Sequence, residues 1–215
     1  MTDTPTTVLI VDDHPLFRRG VRQLLDMEPT LRCTGEASNG SEALEMAQAE
    51  EPDLILLDLH MAGMDGLEAL RALRDAEIHC RIVMLTVSDS DDDVVAALRA
   101  GADGYLLKDM EPEDLLERIR QAAAGEMVLS DQLTRVLATA VAGQRGTGAD
   151  RLATLTSRER DVLTALAKGL SNKLIAKRLD ISEGTVKVHV KNLLKKLGLR
   201  SRVQAAIWAV NEGLR

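Results

Sequence analysis

Aromatic residues are nearly missing from this 215-residue chain: Phe17, Tyr105 and Trp208 are the only three. A core must therefore be built from Leu, Ile, Val, Met and Ala, which argues against an aromatic-lined flavin or carbohydrate site. Cysteine is almost as scarce. Cys33 and Cys80 form no CxxC pair and no disulfide framework, which points to a reducing, cytoplasmic setting. No run approaches the roughly 18 apolar residues of a membrane span, so the sequence implies neither a transmembrane helix nor a signal peptide, and no membrane partner. With 45% hydrophobic and 28% charged residues, what is present suits a folded protein of one large domain or two ordinary ones.

The net charge of −7 hides a division. Residues 1–128 hold 11 Lys and Arg against 27 Asp and Glu, a balance of −16, whereas residues 129–215 hold 16 against 7, a balance of +9. An acidic half joined to a basic half implies two jobs, the second involving a polyanion.

The acidic half alternates two kinds of pattern. Short apolar runs at Val8–Val11, Leu31–Glu36, Leu54–Leu57, Arg81–Thr86 and Gly104–Lys108 read as strands. Helical periodicity fills the intervals, from His14 to Met27, Gly40 to Glu50, Leu67 to Asp75, Asp91 to Arg99 and Glu113 to Ala124. Five strands alternating with five helices imply an α/β domain, a parallel sheet covered on both faces. In such a sheet the carboxyl ends of the strands meet on one edge, where ligands gather. Asp12, Asp13, Asp58, Thr86 and Lys108 all fall at those ends.

Taken singly, each has an ordinary reading: a strand-end aspartate is commonly a helix cap or turn residue, and a loop lysine is commonly solvated. Together they describe a site. Three crowded carboxylates repel one another and want a divalent cation, and hard oxygen ligands suit Mg²⁺. A carboxylate beside Mg²⁺ is a competent phosphoryl acceptor, with Lys108 clamping an added oxygen and Thr86 offering a hydroxyl.

These residues, with the run Asp58-x-x-Met61-x-x-x-Asp65-Gly66, resemble the receiver domain of bacterial response regulators. The resemblance implies a flavodoxin-like five-stranded fold and a sensor histidine kinase as partner. It makes Asp58 the phosphoacceptor. Asp13, Asp58 and the backbone carbonyl of His60 become direct Mg²⁺ ligands, with Asp12 acting through water. Thr86 and Tyr105 match the pair whose rearrangement transmits the phosphorylated state. No enzyme activity is implied beyond the chain's own phosphorylation and dephosphorylation. Ala62 stands where the family usually has proline, His60 where near relatives have asparagine, and Asp109 follows Lys108 where proline is common. A haloacid-dehalogenase-type phosphatase would place a second Asp two residues after the nucleophile, where this chain has His60.

Between the halves, Ser130–Ala142 is helix-capable with Ser130 as its cap, and Gly143–Ala149, with three glycines in seven residues, reads as a tether. Residues 1–128, 129–151 and 152–215 are the expected first domain, linker and second domain. Past the tether, Thr156 and Glu159 spell a capping box. Ser171 caps a short helix to Leu179, Asp180–Ser182 is a tight connection, and a third helix runs from Glu183 to Leu197 before Gly198. This is a helix-turn-helix. Val186, Val190, Leu193, Leu194 and Leu197 form the apolar stripe of the third helix. Lys187, Val188 and Lys191 suit base edges of double-stranded DNA, and Lys173, Lys177, Arg178, Thr185 and Lys195 suit phosphates.

Leu155-Thr-x-Arg-Glu159, Asn172-Lys-x-Ile-Ala176 and Thr185-Val-Lys-x-His189 resemble the LuxR-type helix-turn-helix. The whole chain is thus similar to the NarL/FixJ family of response regulators, most of all its nitrate- and nitrite-responsive members. That likeness implies nitrate- or nitrite-responsive target genes, a contact with RNA polymerase and a homodimer on DNA through the last helix, Ser201–Glu212. The apolar residues Val203, Ala206, Ile207 and Val210 fit that dimer role and simple domain packing equally. It further implies a closed state in which the receiver packs against the DNA-binding helix until Asp58 is phosphorylated. The alternative is a constitutive DNA-binding regulator whose first half is only an interaction module; the presence of all five site residues argues against it.

Overall fold

Five parallel strands form a single sheet of order β2-β1-β3-β4-β5 in a computed structural model of the protein, which describes residues 5–78, 80–126, 128 and 148–214. They are β1 (Thr6–Val11), β2 (Leu31–Ala37), β3 (Leu54–Leu57), β4 (Arg81–Thr86) and β5 (Gly104–Leu107). Five helices alternate with them: α1 (Pro15–Asp26), α2 (Gly40–Glu50), α3 (Gly66–Asp75), α4 (Asp91–Ala100) and α5 (Pro112–Ala124). Every element read from the periodicity of the acidic half is present, with ends displaced by one or two residues.

The unbroken apolar runs have a direct cause. Successive strand residues point to opposite faces, and both faces are covered. Ile55 and Leu57 pack with Leu9, Val11, Ile82 and Met84 against α2, α3 and α4. Leu54 and Leu56 pack with Val8, Ile10, Val83 and Leu85 against α1 and α5. The strand order reverses between β1 and β3, whose neighbours lie on opposite sides, and that crevice is where an open α/β sheet takes its ligand.

The second half is helical: α6 (Gly148–Ala153), α7 (Ser157–Ala167), α8 (Asn172–Leu179), α9 (Glu183–Leu197) and α10 (Arg202–Asn211). The capping box forms in both directions, with Thr156 N–H donating to Glu159 at 2.8 Å and Glu159 N–H donating to Thr156 Oγ1 at 3.2 Å. Ser171, Ser182 and Ser201 cap α8, α9 and α10, and Gly198 closes α9 in the left-handed region at φ 64°. Val162, Leu163, Ile175, Val186, Leu193 and Leu197 make the core. The expected linker helix and most of the glycine tether lie outside the described residues. The tether's last two residues, Gly148 and Ala149, begin α6 instead. That helix packs Leu152 on the second core and reaches the Leu197 carbonyl through Arg151, which draws the start of this domain back from 152.

One glycine is demanded by the site itself. A Cβ on Gly66 would lie 1.9 Å from the carbonyl oxygen of Asp58 and 2.7 Å from Cα of Leu59, so α3 starts in contact with the backbone that carries Asp58. Asp65 caps that start with a capping box to Glu68. Gly66→Ala should lower unfolding free energy by about 1–3 kcal/mol, the usual range for overpacking, as read from urea denaturation. An unchanged midpoint would mean that α3 can retreat without strain.

Candidate functional site

Val11 pairs with Leu57 across β1 and β3, so Asp12 and Asp58 leave the sheet side by side. β4 and β5 end next to them, and the Lys108 N–H donates to the Thr86 carbonyl at 2.8 Å. The five residues expected at the strand ends therefore converge. Lys108 Nζ stands 2.7 Å from Asp12 Oδ2 and 2.7 Å from Asp58 Oδ2, with both carboxylates only 3% exposed. It also lies over the Phe17 ring, 4.8 Å from the centroid, which favours a cation there. Burial raises the Asp58 pKa above the ordinary value, Lys108 opposes that shift, and Asp12 adds to it.

Asp13 completes the acidic group. Its Oδ2 accepts from the Ala62 N–H at 3.3 Å, while its Oδ1 is buried without a hydrogen-bond partner. His14 Nδ1 lies 2.8 Å from that oxygen, an ion pair when the imidazole is protonated, and a metal cation is another way to satisfy it. Asp12, Asp13, Asp58 and His14 each offer a ligand atom, all within 4.8 Å of one another. The oxygen donors fit Mg²⁺. His60 is exposed, and its N–H faces Asp58 Oδ1 at 3.4 Å. His14 has no place among the residues read from the sequence, although it directly follows Asp12 and Asp13.

A chain of contacts leads away from the pocket. Thr86 Oγ1 accepts the Ser88 N–H at 3.2 Å, and Tyr105 donates its hydroxyl to the Ser88 carbonyl at 3.0 Å. Tyr105 is buried, which pushes its pKa up to about 12 and keeps it a donor. The Ser88 hydroxyl bonds Asp93 in the first turn of α4. At the other end of α4, Gln204 of α10 donates to the Leu98 and Arg99 carbonyls, 3.0 Å each.

That last contact crosses between the two halves, and it is one of several. α9 lies against the acidic half with Lys187 paired to Asp53 at 2.5 Å and Lys195 to Glu77 at 3.7 Å; Arg200, just beyond α9, reaches Asp75 at 3.2 Å. Burial alone would raise the Asp53 carboxyl, but bonds from Lys187 and Thr7 overcome it and hold its pKa below the usual value. Lys187, Val188 and Lys191 line a cleft of about 520 Å³ between the halves, so the face expected to read bases is turned toward the first domain. Lys187, Val188 and Lys191 stay exposed to solvent within that cleft, and Lys173, Lys177, Arg178 and Thr185 are exposed as well. Val203 is buried in the core of the first domain and Ile207 packs against it, whereas Ala206 lies in the second core and Val210 is exposed.

Asp103 is the polar centre of this interface, unseen in the sequence. Its Oδ2 takes Arg74 Nη2 at 2.7 Å and the Ile82 N–H at 3.1 Å, and its Oδ1 takes the Arg202 N–H at 3.2 Å. The Arg202 guanidinium goes on to the Leu170 carbonyl and Asn172 Oδ1. Burial, aided by the nearby Arg81 charge, lowers the Arg202 pKa to about 10.

Comparison with known proteins matches both halves. The family described as "Response regulator receiver domain" matches residues 8–120, and "Bacterial regulatory proteins, luxR family" matches residues 153–209. The chain is 57% identical to the nitrate/nitrite response regulator protein NarL of Escherichia coli K12 over 208 residues, covering 97% of this chain and 96% of that one. It is 53% identical to NarP of the same organism, covering 95% and 94%. Among solved structures it is similar to the response regulator ChrA of a heme-sensing two-component system, at 34% identity and a TM-score of 0.51 over 98% of this chain and 99% of that one. The signal receiver domain of a NarL from Mycobacterium tuberculosis gives 38% identity and a TM-score of 0.55, covering 57% of this chain and 98% of that one.

Asp103→Ala should cost about 3–5 kcal/mol in equilibrium denaturation, because it strands the buried Arg74 guanidinium. A loss below about 1 kcal/mol, the size expected of an exposed pair, would show that water replaces the carboxylate freely.

Proposed function

The chain belongs to the response regulators of the NarL/FixJ family, a receiver domain joined to a LuxR-type helix-turn-helix domain, and from that premise we propose that phosphorylation of Asp58 releases α9 to bind DNA. A sensor histidine kinase supplies the phosphoryl group. A carboxylate oxygen of Asp58 attacks phosphorus as the nitrogen–phosphorus bond of the kinase phosphohistidine breaks, and the imidazole leaves. Lys108, now shared between Asp12 and Asp58, then holds a phosphoryl oxygen, and the Thr86 hydroxyl takes another. Mg²⁺ bound by Asp13, Asp58 and the His60 carbonyl, with Asp12 through water, would offset charge on those oxygens. The chain's chemistry is confined to its own phosphorylation and dephosphorylation. An apolar groove lined by Leu16, Phe17, Leu24 and Met110 adjoins Lys108 and supports docking of the donor there.

The observation that carries the reading is the placement of α9 beside the receiver, with Lys187, Val188 and Lys191 lining the cleft between them. Closure pairs Lys187 with Asp53 and packs Val203 and Ile207 on the receiver, so the receiver would stand in the path of DNA approaching α9 and part of the expected dimer face of α10 is already in use. Drawing Thr86 toward a phosphoryl group disturbs Ser88, Tyr105 and the start of α4, whose far end holds Gln204. The phosphoryl group acts by its preference for the open form, which is a shift of population. Once open, Lys187, Val188 and Lys191 read bases. Lys173, Lys177, Arg178, Thr185 and Lys195 hold phosphates while α10 pairs two copies. The identity to NarL and NarP supports nitrate- or nitrite-responsive genes as targets, the anion being sensed by the kinase. Among the described residues no helix is long and apolar enough to cross a membrane, which accords with action in the cytoplasm.

Treatment with Mg²⁺ and a small phosphodonor should label the wild type and tighten its binding to DNA selected by the phosphorylated protein, while Asp58→Asn should do neither. Equal DNA binding by unphosphorylated Asp58→Asn would defeat the inhibition scheme. Among DNA contacts, Lys191→Ala should relax preference at one base position. Lys177→Ala should weaken all sequences and flatten the salt dependence by roughly one unit of slope, as binding isotherms at several salt concentrations would reveal.

A further inference from the structure

His14 stands at the acidic pocket and takes no part in the phosphoryl transfer proposed for it. Its Nδ1 lies 2.8 Å from Asp13 Oδ1 and 3.6 Å from Asp12 Oδ1. The short contact to Asp13 is an ion pair when the imidazole is protonated, and Asp13 Oδ1 has no hydrogen-bond partner besides it. A metal cation can take the proton's place between the same nitrogen and oxygen. Bonds of about 2.0–2.1 Å to nitrogen and oxygen, meeting near a right angle at one metal, place neighbouring ligand atoms about 2.8–3.0 Å apart. The His14–Asp13 spacing falls in that range.

The surroundings hold the imidazole there. The His14 N–H donates to Asp12 Oδ1 at 2.8 Å, and His14 is the residue before Pro15 at the start of α1, with φ −89° and ψ 105°. Its side chain is 72% exposed, so the second ring nitrogen remains free to meet water. Lys108 compensates Asp12 and Asp58, which leaves Asp13 with His14 as its ion-pair partner.

We propose that His14 Nδ1 joins Asp13 as an inner ligand of the divalent cation, giving the pocket a preference for borderline metals such as Mn²⁺, Co²⁺ or Ni²⁺ over Mg²⁺. This rests on the reading that the three aspartates hold a cation. Imidazole suits these later ions, whereas Mg²⁺ keeps oxygen and water around it. The pocket would then hold Mg²⁺ through its carboxylates alone and the later ions more tightly through His14.

Mn²⁺ added to the full-length protein serves as the probe, followed by electron paramagnetic resonance and spin-echo modulation. The wild type should bind Mn²⁺ with a coupling from one directly bound ¹⁴N, lost in His14→Ala and kept in His60→Ala. By competition, His14→Ala should weaken Mn²⁺ and Ni²⁺ at least about tenfold, the low end of the cost of losing even an outer partner, and leave Mg²⁺ nearly unchanged. Mn²⁺ binding that Asp13→Asn abolishes, but without ¹⁴N coupling, overturns the role of His14 and leaves the carboxylate site standing. Coupling that survives in His14→Ala also overturns it. No Mn²⁺ binding at all removes both the carboxylate site and the inference built on it.

Discussion

A lysine ammonium held between two buried carboxylates governs the first domain. Asp12 and Asp58 are both placed where water cannot solvate them, and without Lys108 their charges would repel across the crevice. Keeping that triad in place requires strands of matched length, since each residue is delivered by the end of a different strand. It also requires Gly66, because any side chain there would collide with the Asp58 carbonyl. Lys108 serves two of the three aspartates and leaves the Asp13 Oδ1 without a hydrogen bond, beside His14, in a cluster compatible with a divalent cation.

The contact between the domains follows a different logic. Lys187 with Asp53, Lys195 with Glu77 and Arg200 with Asp75 are largely exposed pairs, each worth no more than about 1 kcal/mol. They match the opposite charges of the two halves and give direction more than strength. Firmer hold comes from the Asp103 cluster and from Val203 and Ile207 against the receiver core. An interface of this kind, one buried cluster with a rim of exposed pairs, suits the reversible closure proposed above.

Much of this was legible in the chain. Apolar runs gave strands because both faces of the sheet are covered, and serine, threonine and glycine marked helix ends because caps are satisfied within three or four residues. Asp58 and its companions could be grouped because parallel strands must end on one edge. The Asp-Asp-His triplet is the one local signal that places His14 beside these residues. Asp53, Asp103, Arg81 and Gln204 offered no such signal. Asp53 only flanks a strand, and Gln204 is one polar residue on a helix.

Local periodicity, capping and charge division were enough to establish two domains, their elements and the convergence of Asp12, Asp13, Asp58, Thr86 and Lys108. These features depend on residues near one another in the chain, or on the geometry common to all parallel sheets. Which way α9 faces was left to the folded molecule. Lys187 meets Asp53 across 134 residues, and Arg202 meets Asp103 across 99, so each partner is chosen only when two separately folded surfaces come together. The same holds for Val203 and Ile207: an apolar helix face needs a cover, and only packing in three dimensions decides that the receiver supplies it.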